Sequence, residues 1–251
     1  MVDSANEDVD ILAVNPTNNV LYGITPKESG NDFVRVVMFP TINSGNATTA
    51  FAGRFEIDAD AEKVTAFEIV EISGQVFGFI ATFDSNANEI NKARFQIGAD
   101  GTISNFQGIG SSSSASAPDE HAFFEFKGEV FVVIEDDVFH MASATGTLTL
   151  IDDSEGSSGQ VPFDSTGEFV SHMTRRPGTQ EVWGIKSAED LNKPTELYIH
   201  RFEFNQTALS FDGTMNLEVE TVQVDNTFKS FISLAFPARL TTVFEDTFET
   251  G

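Results

Sequence analysis

Glu71-Ile-Ser-Gly-Gln-Val-Phe-Gly-Phe-Ile80 lies over Glu125-Phe-Lys-Gly-Glu-Val-Phe-Val-Val-Ile134 at an offset of 54 residues, with five of ten positions identical. The same element recurs as Asn19-Val-Leu-Tyr-Gly-Ile24 and as Glu181-Val-Trp-Gly-Ile185. Aligned on the residue after the aromatic, the copies fall at Gly23, Gly78, Val132 and Gly184, spaced by 55, 54 and 52. A fifth copy is due near residue 235, where Phe228-Lys-Ser-Phe-Ile-Ser-Leu-Ala-Phe236 has lost the glycine. Self-similarity at a fixed period of this size marks an array of supersecondary units.

Each copy carries three further elements in the same order. An apolar stretch precedes the aromatic-glycine element: Ile11-Leu-Ala-Val14, Val64-Thr-Ala-Phe-Glu-Ile69, His121-Ala-Phe-Phe124 and Phe169-Val-Ser-His-Met173. Two more follow it, such as Ile90-Asn-Lys-Ala-Arg-Phe-Gln-Ile97 and Ile103-Ser-Asn-Phe-Gln-Gly108 in the second copy. These stretches are short, rich in Val, Ile, Phe and Thr, and bounded by Gly, Asn, Asp and Ser. No stretch sustains a 3.6-residue apolar period. Four antiparallel strands per repeat predict an all-β fold, a β-propeller of about five four-stranded blades. A lone blade cannot bury both faces, so neighbours must stack. One domain over residues 1–251 is expected, with repeats at about 9–63, 64–117, 118–168, 169–215 and 216–251. The last is too short for four strands, so it is either incomplete or closed by the N-terminus. Ser111-Ser-Ser-Ser-Ala-Ser-Ala-Pro118 reads as a flexible inter-blade loop, because the repeat continues in phase across it.

Within the first copy, Ala13-Val-Asn-Pro-Thr-Asn-Asn-Val-Leu-Tyr-Gly-Ile24 resembles the blade motif of the YVTN type, found in surface-layer and other secreted propellers. There a strand ends in an Asn-Pro-Thr turn and the next strand carries a small-aromatic signature. Pro16 fixes φ and removes a donor, which suits a hairpin corner. The resemblance covers twelve residues and implies a blade.

Charge limits the partners. The 39 acidic residues against 14 basic ones give a formal net charge of −25. Such a surface repels phosphate backbones and anionic lipid, so neither nucleic-acid binding nor membrane insertion is expected. Three origins remain open: a high-salt habitat, divalent-cation binding through carboxylates, or an acidic secreted or virion protein. With no cysteine, a disulfide framework, a thiolate zinc site and a cysteine nucleophile are excluded. The acidic start, Met1-Val-Asp-Ser-Ala-Asn-Glu-Asp8, is not a signal peptide. The expected location is extracellular, or surface- or virion-associated.

Candidate site residues are few. The chain has 25 Phe but only Tyr22, Tyr198 and Trp183 among the rings with a polar tip. Tyr22 and Trp183 share one repeat position and are candidates for ligand binding, with core packing as the competing role. His121 and His172 fall on innermost strands, where imidazoles near the axis are ligand or metal candidates. Asp84, Asn86 and Asn88 alternate oxygen ligands as calcium loops do, but the glycine and the bidentate glutamate of an EF-hand are missing. Asp58 and Asp60 repeat the alternation in the first copy. Calcium is the one cofactor this pattern points to. The pairs Asp136-Asp137 and Asp152-Asp153 face opposite ways on a strand and form no dyad. No nucleophile elbow and no phosphate-cradling glycine loop occurs.

The expectation is a non-enzymatic scaffold or binding module with a protein or glycan partner at the propeller face. Two alternatives stand beside it. One is a divalent-metal-dependent propeller hydrolase or lactonase. The other is a carbohydrate-binding propeller with a shallow pocket between each pair of blades.

Overall fold

In the computed structural model every element among the described residues is a β-strand, and these strands form four antiparallel sheets. The structure describes residues 9, 11–28, 32–43, 46–57, 61–84, 86–113, 121–126, 128–134, 137–152, 170–175, 181–187, 196–205, 210–211 and 217–223. The first sheet is a meander of β1 (Ile11–Val14), β2 (Leu21–Ile24), β3 (Phe33–Asn43) and β4 (Asn46–Glu56). The second is β5 (Ala61–Ile72), β6 (Gln75–Asp84), β7 (Glu89–Ile97) and β8 (Ile103–Ser113). The third is β9 (His121–Phe126), β10 (Glu129–Ile134), β11 (Asp137–Met141) and β12 (Leu148–Asp152). In the fourth, β13 (Val170–Arg175), β14 (Glu181–Ser187) and β15 (Glu196–Asn205) lie in order. The far edge of β15 pairs with both β16 (Ser210–Phe211) and β17 (Leu217–Gln223).

The first strands pack side by side in sequence order: β1 on β5, β5 on β9, β9 on β13. Sheets that meet along their first strands and follow one another around are the blades of a β-propeller. The expected strands of the first four copies overlap these elements, and two readings change. Ser111 to Ser113 are not loop; they continue β8, paired with Asn91, Ile90 and Glu89. Serine is a weak strand former, and the ladder with β7 overrides its propensity. Leu217–Gln223, assigned by the repeat period to the fifth copy, pairs with β15 in the fourth sheet. The strand β15 is ten residues long, and two residues of β16 leave most of its outer edge to be paired. The fifth-copy motif at residues 228–236 lies outside the described residues.

The core sits in the seams between blades. On one side of the second sheet, Phe67, Ile69, Ile80 and Phe95 pack with Ile11, Tyr22, Val36 and Phe55 of the first. On its other side, Ala66, Val70, Phe79 and Ile90 pack with Phe123, Val130, Val132 and Met141 of the third. The next seam holds Phe124, Phe126, Phe131 and Val133 against Val182 of β14. Burying one such side chain stabilises by about 1.5–3 kcal/mol.

The repeat glycine has a packing cause. Gly78 stands opposite Phe95 in the β6–β7 ladder, and a Cβ on Gly78 would fall within the Phe95 ring. Gly23 holds the same place in the first blade, where a Cβ would meet Val9 at 2.5 Å before Leu12 at 3.2 Å and Phe39 at 3.3 Å. In the third blade Val132 replaces the glycine, opposite a half-buried Phe139. The glycine lets an aromatic from the third strand lie flat across the second. Gly78→Val is therefore expected to destabilise the protein by about 1–3 kcal/mol through overpacking. Urea denaturation checks this: an unchanged midpoint would show that Phe95 moves aside at no cost.

Candidate functional site

A groove of about 380 Å³ opens between the first and second blades. Glu56 and Ile57, at the end of β4, line one side. Thr82, Asn91, Phe106 and Ser111, from β6, β7 and β8, line the other. The placement follows from alternation along each strand. Ile80 and Ala93 belong to the core cluster shared with the first blade, so Thr82 and Asn91, two positions away, turn to the same side. Phe106 stays 40% exposed. One face of its ring stacks on Phe55, with centroids 4.6 Å apart and planes 10° from parallel. Phe55 in turn stacks on Phe95 at 5.7 Å, and Phe95 meets Phe67 of the inner strand at 6.1 Å. A run of aromatic rings thus leads from the inner strand to the groove and fixes Phe106 in place. Gly108 is exposed, and a Cβ there would meet nothing within 4 Å, so the groove is open above it.

This arrangement offers an apolar ring surface beside a carboxylate, an amide and two hydroxyls. The amide of Asn91 both donates and accepts, and Glu56 accepts when ionised. A rigid ring flanked by a few polar groups suits a small ligand that has both CH faces and hydroxyls.

Tyr22, expected as a ligand-binding aromatic, is buried in the core of this seam and not in the groove. It has no exposed surface, and its hydroxyl donates to the Gly101 carbonyl at 3.3 Å across the seam. Burial raises its pKa, opposed by a hydrogen bond with Asn15. The ring therefore ties the first blade to the β7–β8 turn of the second. Trp183 lies in β14 opposite Thr174 and Arg201, in the strand equivalent to that of Tyr22. His121 opens β9 and His172 lies in β13, so both are on inner strands that pack together. The side chains of Trp183, His121 and His172 lie outside the described residues, as do Asp58 and Asp60 in the connection from β4 to β5.

Asp84 is 8% exposed. Its Oδ1 accepts from the backbone N–H of Asn86 at 2.8 Å and of Ala87 at 3.1 Å. This local turn closes the β6–β7 hairpin, with Asn88 in the left-handed region at φ 52. Asn86 and Asn88 are exposed. The Asp84 turn joins two strands of one blade, whereas Asp58 and Asp60 fall between blades, so the two alternations are not equivalent in the fold. Among the described residues, no three His, Asp or Glu side chains gather as a metal would need.

A second polar feature lies at the seam between the second and third blades. Glu68 of β5 stands opposite Phe79 and faces the third blade, 7% exposed. Burial raises its pKa well above the usual carboxylate value, and the charge of Glu125 on β9 adds to the rise. The backbone N–H of Ile69 opposes both. Glu125 Oε1 accepts from Gly128 N at 2.6 Å. Glu68 is thus buried and biased toward its protonated form, next to the half-buried Glu125. The signal was visible in sequence as the one charge inside Val64-Thr-Ala-Phe-Glu-Ile69. Phe106 carried no such signal, since its exposure depends on how β8 meets β4.

The solved structures similar to this chain include a GH43 endo-arabinanase from Bacillus licheniformis. It is 12% identical, with a TM-score of 0.52, over 89% of this chain and 82% of that one. An exo-1,5-α-L-arabinanase from a bovine ruminal metagenomic library is 10% identical, with a TM-score of 0.51, over 89% of this chain and 81% of the other. A GH32 β-fructofuranosidase of Bombyx mori is 10% identical, with a TM-score of 0.52, over 87% of this chain and 50% of the other. At these identities the likeness shows the fold, a β-propeller. No family model matches the chain, and no curated protein matches it.

The raised pKa of Glu68 has a defined consequence. Between the ordinary glutamate pKa, about 4.3, and the folded value, the native state holds a proton that the unfolded chain has lost. The unfolded state then binds fewer protons, so stability falls as pH rises through this window. Glu68→Gln keeps the shape and removes the charge. It is expected to stabilise the protein at neutral pH by about 1–3 kcal/mol and to flatten the fall in Tm above pH 5. Equal Tm values for the two proteins across this range would show that Glu68 ionises freely.

Proposed function

We propose that this chain is a carbohydrate-binding propeller whose site is the groove between the first and second blades. The observation that carries the reading is Phe106, a stacked and half-open ring flanked by Asn91, Thr82 and Glu56. A sugar presents CH groups on one face and hydroxyls around its edge. The ring takes the first by apolar contact, and the amide, hydroxyl and carboxylate take the second. The similar solved structures support the same ligand class, since two are arabinanases and one a fructofuranosidase by name. The surface-layer likeness of residues 13–24 supports a location outside the cell, where glycans are met. A scaffold role alone gives no account of an aromatic ring held open beside hydrogen-bonding groups.

The test is a glycan array that includes arabinan and β-fructofuranosides, followed by calorimetry on the hits. Phe106→Ala is expected to weaken binding about tenfold, the equivalent of about 1.4 kcal/mol. Gly108→Phe, whose Cβ has open space, is expected to abolish it. An array without hits, or variants that bind as the parent does, would remove the groove as a glycan site.

A further inference from the structure

Lys92 is 2% exposed, and its ammonium lies in the seam between the second and third blades. It stands opposite Ala81 in the β6–β7 ladder, and Ala81, Ile90, Phe83 and Ile109 form the apolar wall on that side. Its Nζ donates to Ser112 Oγ at 2.6 Å. Ser112 stands opposite Ile90 in β8, two positions from Gly110, the partner of Lys92, so both side chains point into one seam. Unlike Lys92, Ser112 is partly exposed. The apolar wall lowers the Lys92 pKa from its usual value to about 8, against the charge of Glu89, which raises it. A lysine near that value is neutral in part at neutral pH and mostly neutral a unit above its pKa. Its lone pair then accepts the serine proton.

We propose that Ser112 is an acyl-accepting nucleophile and Lys92 its general base, with O-acyl esters as the substrate class. A buried base behind a reachable hydroxyl is the layout such a dyad requires. Ser112 Oγ attacks the acyl carbon while its proton passes to neutral Lys92 Nζ. The bond to the leaving alcohol then breaks, and that alkoxide takes the proton back from the ammonium. Water, deprotonated in turn by Lys92, attacks the acyl-serine. The carboxylic acid leaves and Ser112 recovers its proton. Lys92 also borders the glycan groove, whereas Ser112 does not; by strand alternation the Lys92 side chain turns with Ala81 and Ile90 to the other side of the sheet.

The full chain is incubated with p-nitrophenyl acetate from neutral to alkaline pH. Nitrophenol release is followed, and the acetylated residue is mapped by peptide mass spectrometry. The expected result is acetyl on Ser112 and a rate that rises with a single inflection near pH 8. Ser112→Ala and Lys92→Met are each expected to slow release by about 10²-fold or more. Methionine fills the lysine stem's space in the apolar seam, and circular dichroism reports whether each variant folds. Should Lys92→Met fail to fold, Ser112→Ala and the pH profile decide alone. A purely structural hydrogen bond gives neither the inflection nor the acyl-serine. Acetyl found only on other residues, or on none, overturns the proposal, as does a rate without the inflection.

Discussion

The structure depends on one constraint: a sheet that is apolar on both faces, as the second and third are, gains stability only when a neighbour covers each. The second sheet shows this fully. In β6, Phe79 and Ala81 turn to the third blade while Ile80, between them, turns to the first. Neither face tolerates water, so the strand reads as a near-continuous apolar run and not as an alternating one. Inner strands then meet because they are the most buried edges, and the order β1, β5, β9, β13 follows from the chain. The glycine opposite Phe95 belongs to the same constraint, since a seam this dense admits a flat ring only where the facing strand has no side chain.

Polar groups in such a seam carry high stakes. Glu68 and Lys92 both lie on the side of the second sheet that faces the third blade, yet the seam handles them differently. Glu68 has another carboxylate for a neighbour, so burial and repulsion act together and favour the protonated acid. Lys92 has a serine hydroxyl and a more distant carboxylate, so burial lowers its basicity without removing its partner. Opposite the seam, the groove beside Phe106 is the place where the first two blades fail to close on each other. The aromatic run behind it, Phe67 to Phe95 to Phe55, makes that opening a fixed surface.

The repeat and the four strands of each of its first four units were legible in the sequence. Each rests on local rules: period-two patterning, glycine and asparagine at corners, and a recurring aromatic-glycine pair. Side-chain roles were less legible. Tyr22 and Phe106 both sit on strands, and nothing local separates the ring that bridges two blades from the ring that faces solvent. The serines at residues 111–113 carry the composition of a loop, but an available edge on β7 holds them as strand. Leu217–Gln223 falls in the fifth copy by period, yet the open edge of β15 takes it. In the Asp84 turn, alternating oxygens are what a calcium loop and a self-bonded hairpin have in common; Asp84 Oδ1 is engaged by its own backbone.

By itself, the sequence determined that this is an acidic, cysteine-free all-β chain of blade-like repeats, because charge, composition and period are properties of the chain alone. Only the tertiary structure decided which polar groups the seams enclose and which rings stay open. Those outcomes depend on contacts between residues in different blades, such as Phe55 with Phe106 or Glu68 with Glu125. Their energies come from burial that no single repeat possesses.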